Sequence, residues 1–143
     1  MQWAAGPYAG GGWETGVSET ITNVASYLQP IAHSIKGTIA SKAFPTQKGA
    51  ALKNIGWGVR AVDWGVATDS PDGSITYLHI LNPPAGPQAR IGMPANGVRF
   101  GKATLLTTGK PVALEMDKAG YLITLPGDEP WNPVHTAIRM ERK

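Results

Sequence analysis

Two acids at a suitable separation are enough to hydrolyse a glycosidic bond, one as general acid and the other as base or nucleophile. The chain has ten carboxylates: Glu14, Glu19, Asp63, Asp69, Asp72, Glu115, Asp117, Asp128, Glu129 and Glu141. Asp69 and Asp72 flank one turn, and Asp128 and Glu129 lie in another. Asp is a standard turn former, so these pairs read first as solvated or capping groups. Asp63, between Val62 and Trp64, and Glu115, between Leu114 and Met116, stand in apolar strand contexts. Burial there would raise the pKa of either acid toward that of a proton donor. The plainer reading for both is a strand residue facing outward. A hydrolase built on this chain would draw its acid and base from Asp63, Glu115, Asp69 or Glu14, with the site completed across an oligomer interface.

Aromatic residues offer a second chemistry. Five tryptophans (Trp3, Trp13, Trp57, Trp64 and Trp131) are many for 143 residues. A flat ring suits the C–H face of a sugar while polar neighbours hold its hydroxyls. Trp3, Tyr8, Trp13 and Trp131 lie in Gly- or Pro-rich stretches and are the candidate sugar-binding residues, whereas Trp64 fits a core. The histidines His33, His79 and His135 are 46 and 56 residues apart, without the spacing of a ligand set. His79 reads as a core residue satisfied by a hydrogen bond. Cysteine is absent, which excludes disulfides, thiol nucleophiles and cysteine zinc sites. No Gly-x-Ser-x-Gly elbow occurs, and Gly10-Gly11-Gly12 lacks the Lys-Ser/Thr of a phosphate loop. No metal and no cofactor is expected.

The elements that must position these groups follow from composition and pattern. The length suits one domain. Only 16% of residues are charged, while 18 Gly and 12 Pro favour short strands joined by turns. The net charge of +3 is spread along the chain, unlike the concentrated basic face of a nucleic-acid binder. No apolar run approaches the ~18 residues of a membrane span, and the start of the chain lacks the pattern of a signal peptide, so a cytoplasmic location is expected.

Residues 18–37 carry the helical signal: Ser18 can cap, Glu19 suits the first turn, and Ile21, Val24, Ala25 and Leu28 form one stripe. Pro30 breaks or kinks it. Strands follow. Trp64–Asp69 and Ser74–Leu81 flank the turn Ser70-Pro71-Asp72-Gly73 as a hairpin. Further strands are expected at Lys102–Thr107, Pro111–Met116, Tyr121–Leu125 and Val134–Glu141. The alternation in the last of these fits an edge or half-exposed strand.

Six stretches carry a family resemblance by their order and spacing: Ser34-Ile35-Lys36-Gly37-Thr38, Trp64–Thr68, Thr76–Asn82, Ala103–Val112, Ile123–Pro126 and Asn132–Ile138. Over about residues 28–141 the chain resembles the C-terminal part of α-L-fucosidases of glycoside hydrolase family 29. In that family the chain leaves a catalytic barrel through an Ile-Tyr-Gly-Thr-like segment and enters a β-sandwich. Lys36 stands where the family usually has Tyr, and His135 where an Asp is common. The family's nucleophile and acid lie on the barrel, which needs about 200 residues or more. Only about 30 residues precede the match, so the resemblance carries over no catalytic residue.

The expected fold class is all-β, an antiparallel, jelly-roll-like β-sandwich with a short N-terminal helical segment. Its expected parts are a Gly- and aromatic-rich arm at 1–17, a helical segment and linker at 18–56, and the sandwich at 57–143. Two functions stand on these residues. One is a carbohydrate-associated module that binds sugars or scaffolds assembly. The other is a small stand-alone glycoside hydrolase, fucosidase- or galactosidase-like. Carbohydrate is the expected partner, with neither nucleic acid nor membrane. A homo-oligomer is also expected, because an uncovered apolar sandwich face is rare on a soluble monomer.

Overall fold

The computed structural model describes residues 11–45, 64–127 and 129–143. Its first element, α1 (Val17–Leu28), starts at Gly16 in the left-handed conformation, with φ 86°. Ser18 therefore sits inside the first turn, and no side chain caps this end. Thr20 and Thr22 instead donate back to the carbonyls of Gly16 and Ser18. Pro30 does not end the helical path. It occupies the first turn of a 3-10 helix, Gln29–Ser34, where its missing N–H would have been unpaired anyway.

Eight strands follow: β1 (Ile39–Ala40), β2 (Gly65–Asp69), β3 (Ile75–Ile80), β4 (Gln88–Ile91), β5 (Phe100–Leu105), β6 (Pro111–Asp117), β7 (Gly120–Thr124) and β8 (Thr136–Arg142). All pair antiparallel in the order β1-β2-β3-β8-β5-β6-β7-β4. The expected hairpin is β2–β3, with Asp69 opposite Thr76. The fold is thus all-β with a small helix, a single sheet folded over on itself.

The fold in the sheet lies at β6. Only Pro111 and Val112 pair with β5, whereas Ala113–Asp117 pair with β7. The two halves close on a core that includes Leu78, Ile80, Leu105, Ile138 and Met140 from one side and Ile91, Val112, Tyr121 and Ile123 from the other. β8 is a central strand and not the edge expected from its alternation. It pairs with β3 and β5 together, and Thr136, Ala137, Ile138 and Met140 are buried. Its outward-facing residues are covered by a second layer, made by the helical segment.

Backbones approach closely at two glycines. Gly65 has φ 153°, and an added Cβ would lie 1.9 Å from the His79 carbonyl oxygen; at Gly120, with φ 133°, it would lie 2.1 Å from that of Ile91. Both contacts are backbone, so no side-chain movement relieves them.

Asp69, buried at 2% exposure, ties the segment before the hairpin to the sheet. Its carboxylate accepts from Ser41 Oγ at 2.7 Å, Lys42 N at 2.9 Å and Thr76 Oγ1 at 2.8 Å, and pairs with Arg142 at 2.6 Å. Burial alone would raise its pKa. The Arg142 guanidinium, with the Ser41, Lys42 and Thr76 donors, outweighs burial and holds the group below the usual carboxylate value. Breaking such a pair from one side costs about 3 kcal/mol or more. Asp69→Asn is expected to lower the urea midpoint by that much, whereas Asp117→Asn, whose Arg90 partner is exposed, should leave it nearly unchanged. Equal effects would show that Asp69 is not the tie.

Candidate functional site

Antiparallel pairing brings three loops to one end of the molecule. Ile80 lies opposite Thr136, Leu105 opposite Ile138, Thr104 opposite Pro111, and Thr124 opposite both Ala113 and Gln88. The loops at 81–87, 106–110 and 125–135 therefore leave side by side. Between the first and third lies an open cleft of about 450 Å³, lined by Pro84, Ala85, Gly86 and Pro87 on one side and Gly127, Glu129, Pro130 and Trp131 on the other. A second cavity of about 70 Å³ shares Pro130 and is walled by polar groups of Thr107, Asn132, His135 and Thr136 and by Leu105 and Leu125.

Prolines set the shape of the cleft. Pro83-Pro84 stops β3 from continuing, and Pro126 and Pro130 do the same beyond β7. Trp131 packs half-buried against the core, which fixes one edge of its ring. Glu129 Oε1 accepts from Lys110 Nζ at 2.5 Å. Glu129 Oε2 and Trp131 Nε1 are buried and have no hydrogen-bond partner among the described residues. Each such group costs about 1–3 kcal/mol, so this loop holds one acceptor and one donor that the rest of the fold leaves unmet.

Next to the small cavity runs a chain of buried polar groups. Tyr27 of α1 places its hydroxyl 2.8 Å from His135 Nδ1 and 2.8 Å from the His135 carbonyl oxygen. His135 Nε2 lies 3.0 Å from His79 Nδ1, and His79 Nε2 lies 3.2 Å from the Ser34 carbonyl oxygen. The two imidazoles are stacked, with centroids 5.2 Å apart. A carbonyl only accepts, so His79 Nε2 carries a proton. In the neutral chain His79 Nδ1 then accepts from His135 Nε2, and Tyr27 donates to His135. One extra proton fits this geometry, because His135 Nδ1–H can donate to Tyr27 while Tyr27 donates to the carbonyl. A second would set two N–H groups, on two cations, against each other.

The sequence-derived candidates fall in separate places. Trp131 lines the cleft. Trp13 is 42% exposed and precedes α1. Trp3, Tyr8 and Asp63 lie outside the described residues. Glu14 is exposed near the start of α1, Glu115 is exposed on β6, and Asp69 is sealed at the end of β2. Three strands separate β2 from β6, so Asp69 and Glu115 do not converge. Two features escaped the sequence reading. Glu129 was grouped with the turn acids, although Pro-rich runs on both sides of the cleft (83–87 and 126–130) pointed to a rigid loop pair. His79 and His135 meet through the pairing of β3 with β8, which a spacing of 56 residues does not announce.

Solved structures place this architecture. An α-L-fucosidase of family 29 from Bacteroides thetaiotaomicron superposes with a TM-score of 0.69 at 21% identity, over 97% of this chain and 28% of that one. Isoenzyme 1 of Paenibacillus thiaminolyticus α-L-fucosidase gives 0.65 at 25%, over 97% and 30%. The Thermotoga maritima α-fucosidase gives 0.60 at 13%, over 95% and 29%. The chain has the fold of one part of an α-L-fucosidase. It spans less than a third of the length of these fucosidases. No family model and no curated protein matches it.

The histidine chain gives the protein an acid-sensitive joint between helix and sheet. Burial, with the charge of His79 adding to it, lowers the His135 pKa to about 4. Burial also lowers that of His79, against the Ser34 hydrogen bond. An unfolded histidine titrates near 6.5. Between those values the unfolded chain binds protons that the folded chain does not, so stability is full above about pH 6.5 and falls as pH drops toward 4. For a shift of this size His135 contributes at most about 3 kcal/mol to that fall. Urea midpoints measured from pH 7 to pH 4.5 should decline, and His135→Gln should flatten the slope. A midpoint constant over this range would show that the pair is not held neutral.

Proposed function

We propose that this chain is a carbohydrate-associated β-sandwich module of the type built into α-L-fucosidases, and that it binds sugar in the cleft edged by Trp131. The observation that carries this reading is the cleft itself: an indole and three prolines around about 450 Å³, a volume suited to one or two sugar rings. The fold likeness supports it, since the Bacteroides thetaiotaomicron enzyme holds a covalent intermediate in complex with 2-fluoro-fucosyl fluoride. Ring faces of indole and pyrrolidine meet the C–H face of a sugar, and the loop polar groups meet its hydroxyls. The described acids supply no converging pair, so binding is the activity assigned.

Titration with methyl glycosides, followed by protein NMR, should give saturable shifts confined to residues 84–87 and 127–131. Trp131→Ala should weaken binding by about tenfold or more, while Trp131→Phe, which keeps a ring against the core, should retain most of it. Nitrophenyl fucosides and galactosides should not be turned over. Turnover abolished by replacing a single Asp or Glu would sink the module reading.

A further inference from the structure

The cleft also has an imbalance between donors and acceptors that bears on which sugar enters, and the argument here rests on the sugar-binding reading above. We infer that Glu129 makes this cleft selective for neutral polyhydroxyl ligands over sugars that carry a carboxylate, with Trp131 Nε1 as the matching donor. Pro84, Pro87 and Pro130 have no N–H, and Ala85, Gly86 and Gly127 have no polar side chain. The amide of Glu129 is already spent on the Pro126 carbonyl at 3.2 Å. The nearby cation, Lys110, is engaged by Glu129 Oε1 at 2.5 Å, so its charge is met within the protein.

The wall therefore offers carbonyls, one carboxylate oxygen without a partner and a single indole N–H. An anionic ligand needs donors and finds few, and it meets Glu129 as a like charge. A hydroxyl supplies what each orphaned atom lacks, donating to Glu129 Oε2 and accepting from Trp131 Nε1. Both atoms are covered by their own loop, so a ligand reaches them as the 127–131 loop parts, and pairing them removes the cost of leaving them bare. The ring C–H face then rests on the prolines.

The test uses ¹⁵N-labelled full chain and sugar pairs that differ only at C6: methyl β-D-galactoside against its galacturonide, and methyl β-D-glucoside against its glucuronide. At least one neutral member should bind saturably and shift the Trp131 indole N–H resonance, identified by its loss in Trp131→Phe. Its uronide should bind about tenfold more weakly or worse. Glu129→Gln should bring the pair within about threefold, Glu129→Asp should keep the exclusion, and Lys110→Met should widen it by leaving the carboxylate without its cation. If Glu129→Gln does not fold, the Asp and Lys110 variants carry the comparison. Equal binding of a neutral sugar and its uronide, or a ratio that no Glu129 or Lys110 variant moves, overturns the inference while leaving the cleft a sugar site. No saturable binding by any neutral sugar overturns both.

Discussion

The helical segment is held to the sheet by polar bonds and by very little apolar burial. α1 has no fully buried residue, and below it only Ile31 and Ser34 of the 3-10 helix are sealed. The Ser34 carbonyl is the centre of this joint, accepting from Thr68 Oγ1 at 2.7 Å and from His79 Nε2. Tyr27 reaches His135 on one flank and Asp69 gathers Ser41 and Lys42 on the other. Polar joints are directional, so they fix where the segment sits more tightly than they stabilise it. With its outer face covered in this way, the sheet can bury residues on both sides of β3 and β8.

How much of this was legible in the sequence depended on how local the determining contact is. The β2–β3 hairpin is set by Pro71, Asp72 and Gly73, and Asp72 does accept from Ser70 and Ser74 across the turn. Such contacts lie within a few residues and show in the pattern. The status of β8 does not, because Thr136, His135 and Arg139 are covered by a layer more than a hundred residues earlier in the chain. β1 has two residues and β4 four, too short for a period to appear. The start of α1 was legible as a region but not as a residue, since Gly16 in the left-handed conformation displaced Ser18 from the capping position.

The candidate site divides in the same way. Trp131 drew notice because a large ring in a Pro-rich stretch is conspicuous. Its partners are on loops that pairing brings together, so Pro84, Pro87 and Glu129 became neighbours only through the β3–β8 and β4–β7 registers. The fold likeness to α-L-fucosidases, carried in the sequence by short stretches such as Thr76–Asn82 and Ala103–Val112, marks the strands of the scaffold. The wall of the cleft lies in the connecting loops, where relatives with one scaffold diverge most.

The position of β8 between β3 and β5 has a bearing on synthesis. Every other strand precedes it, so while the chain emerges from the ribosome the β1-β2-β3 and β5-β6-β7-β4 groups can each form while the strand that joins them is still missing. Until it arrives, β3 and β5 each present an unpaired edge, and Leu78, Ile80 and Leu105 lack the Ile138 and Met140 that cover them in the finished core. Open edges beside apolar side chains are where nascent chains join the wrong partner. The sheet is completed from its middle, in a single late event, and a chaperone that shields those two edges would act during the interval before it.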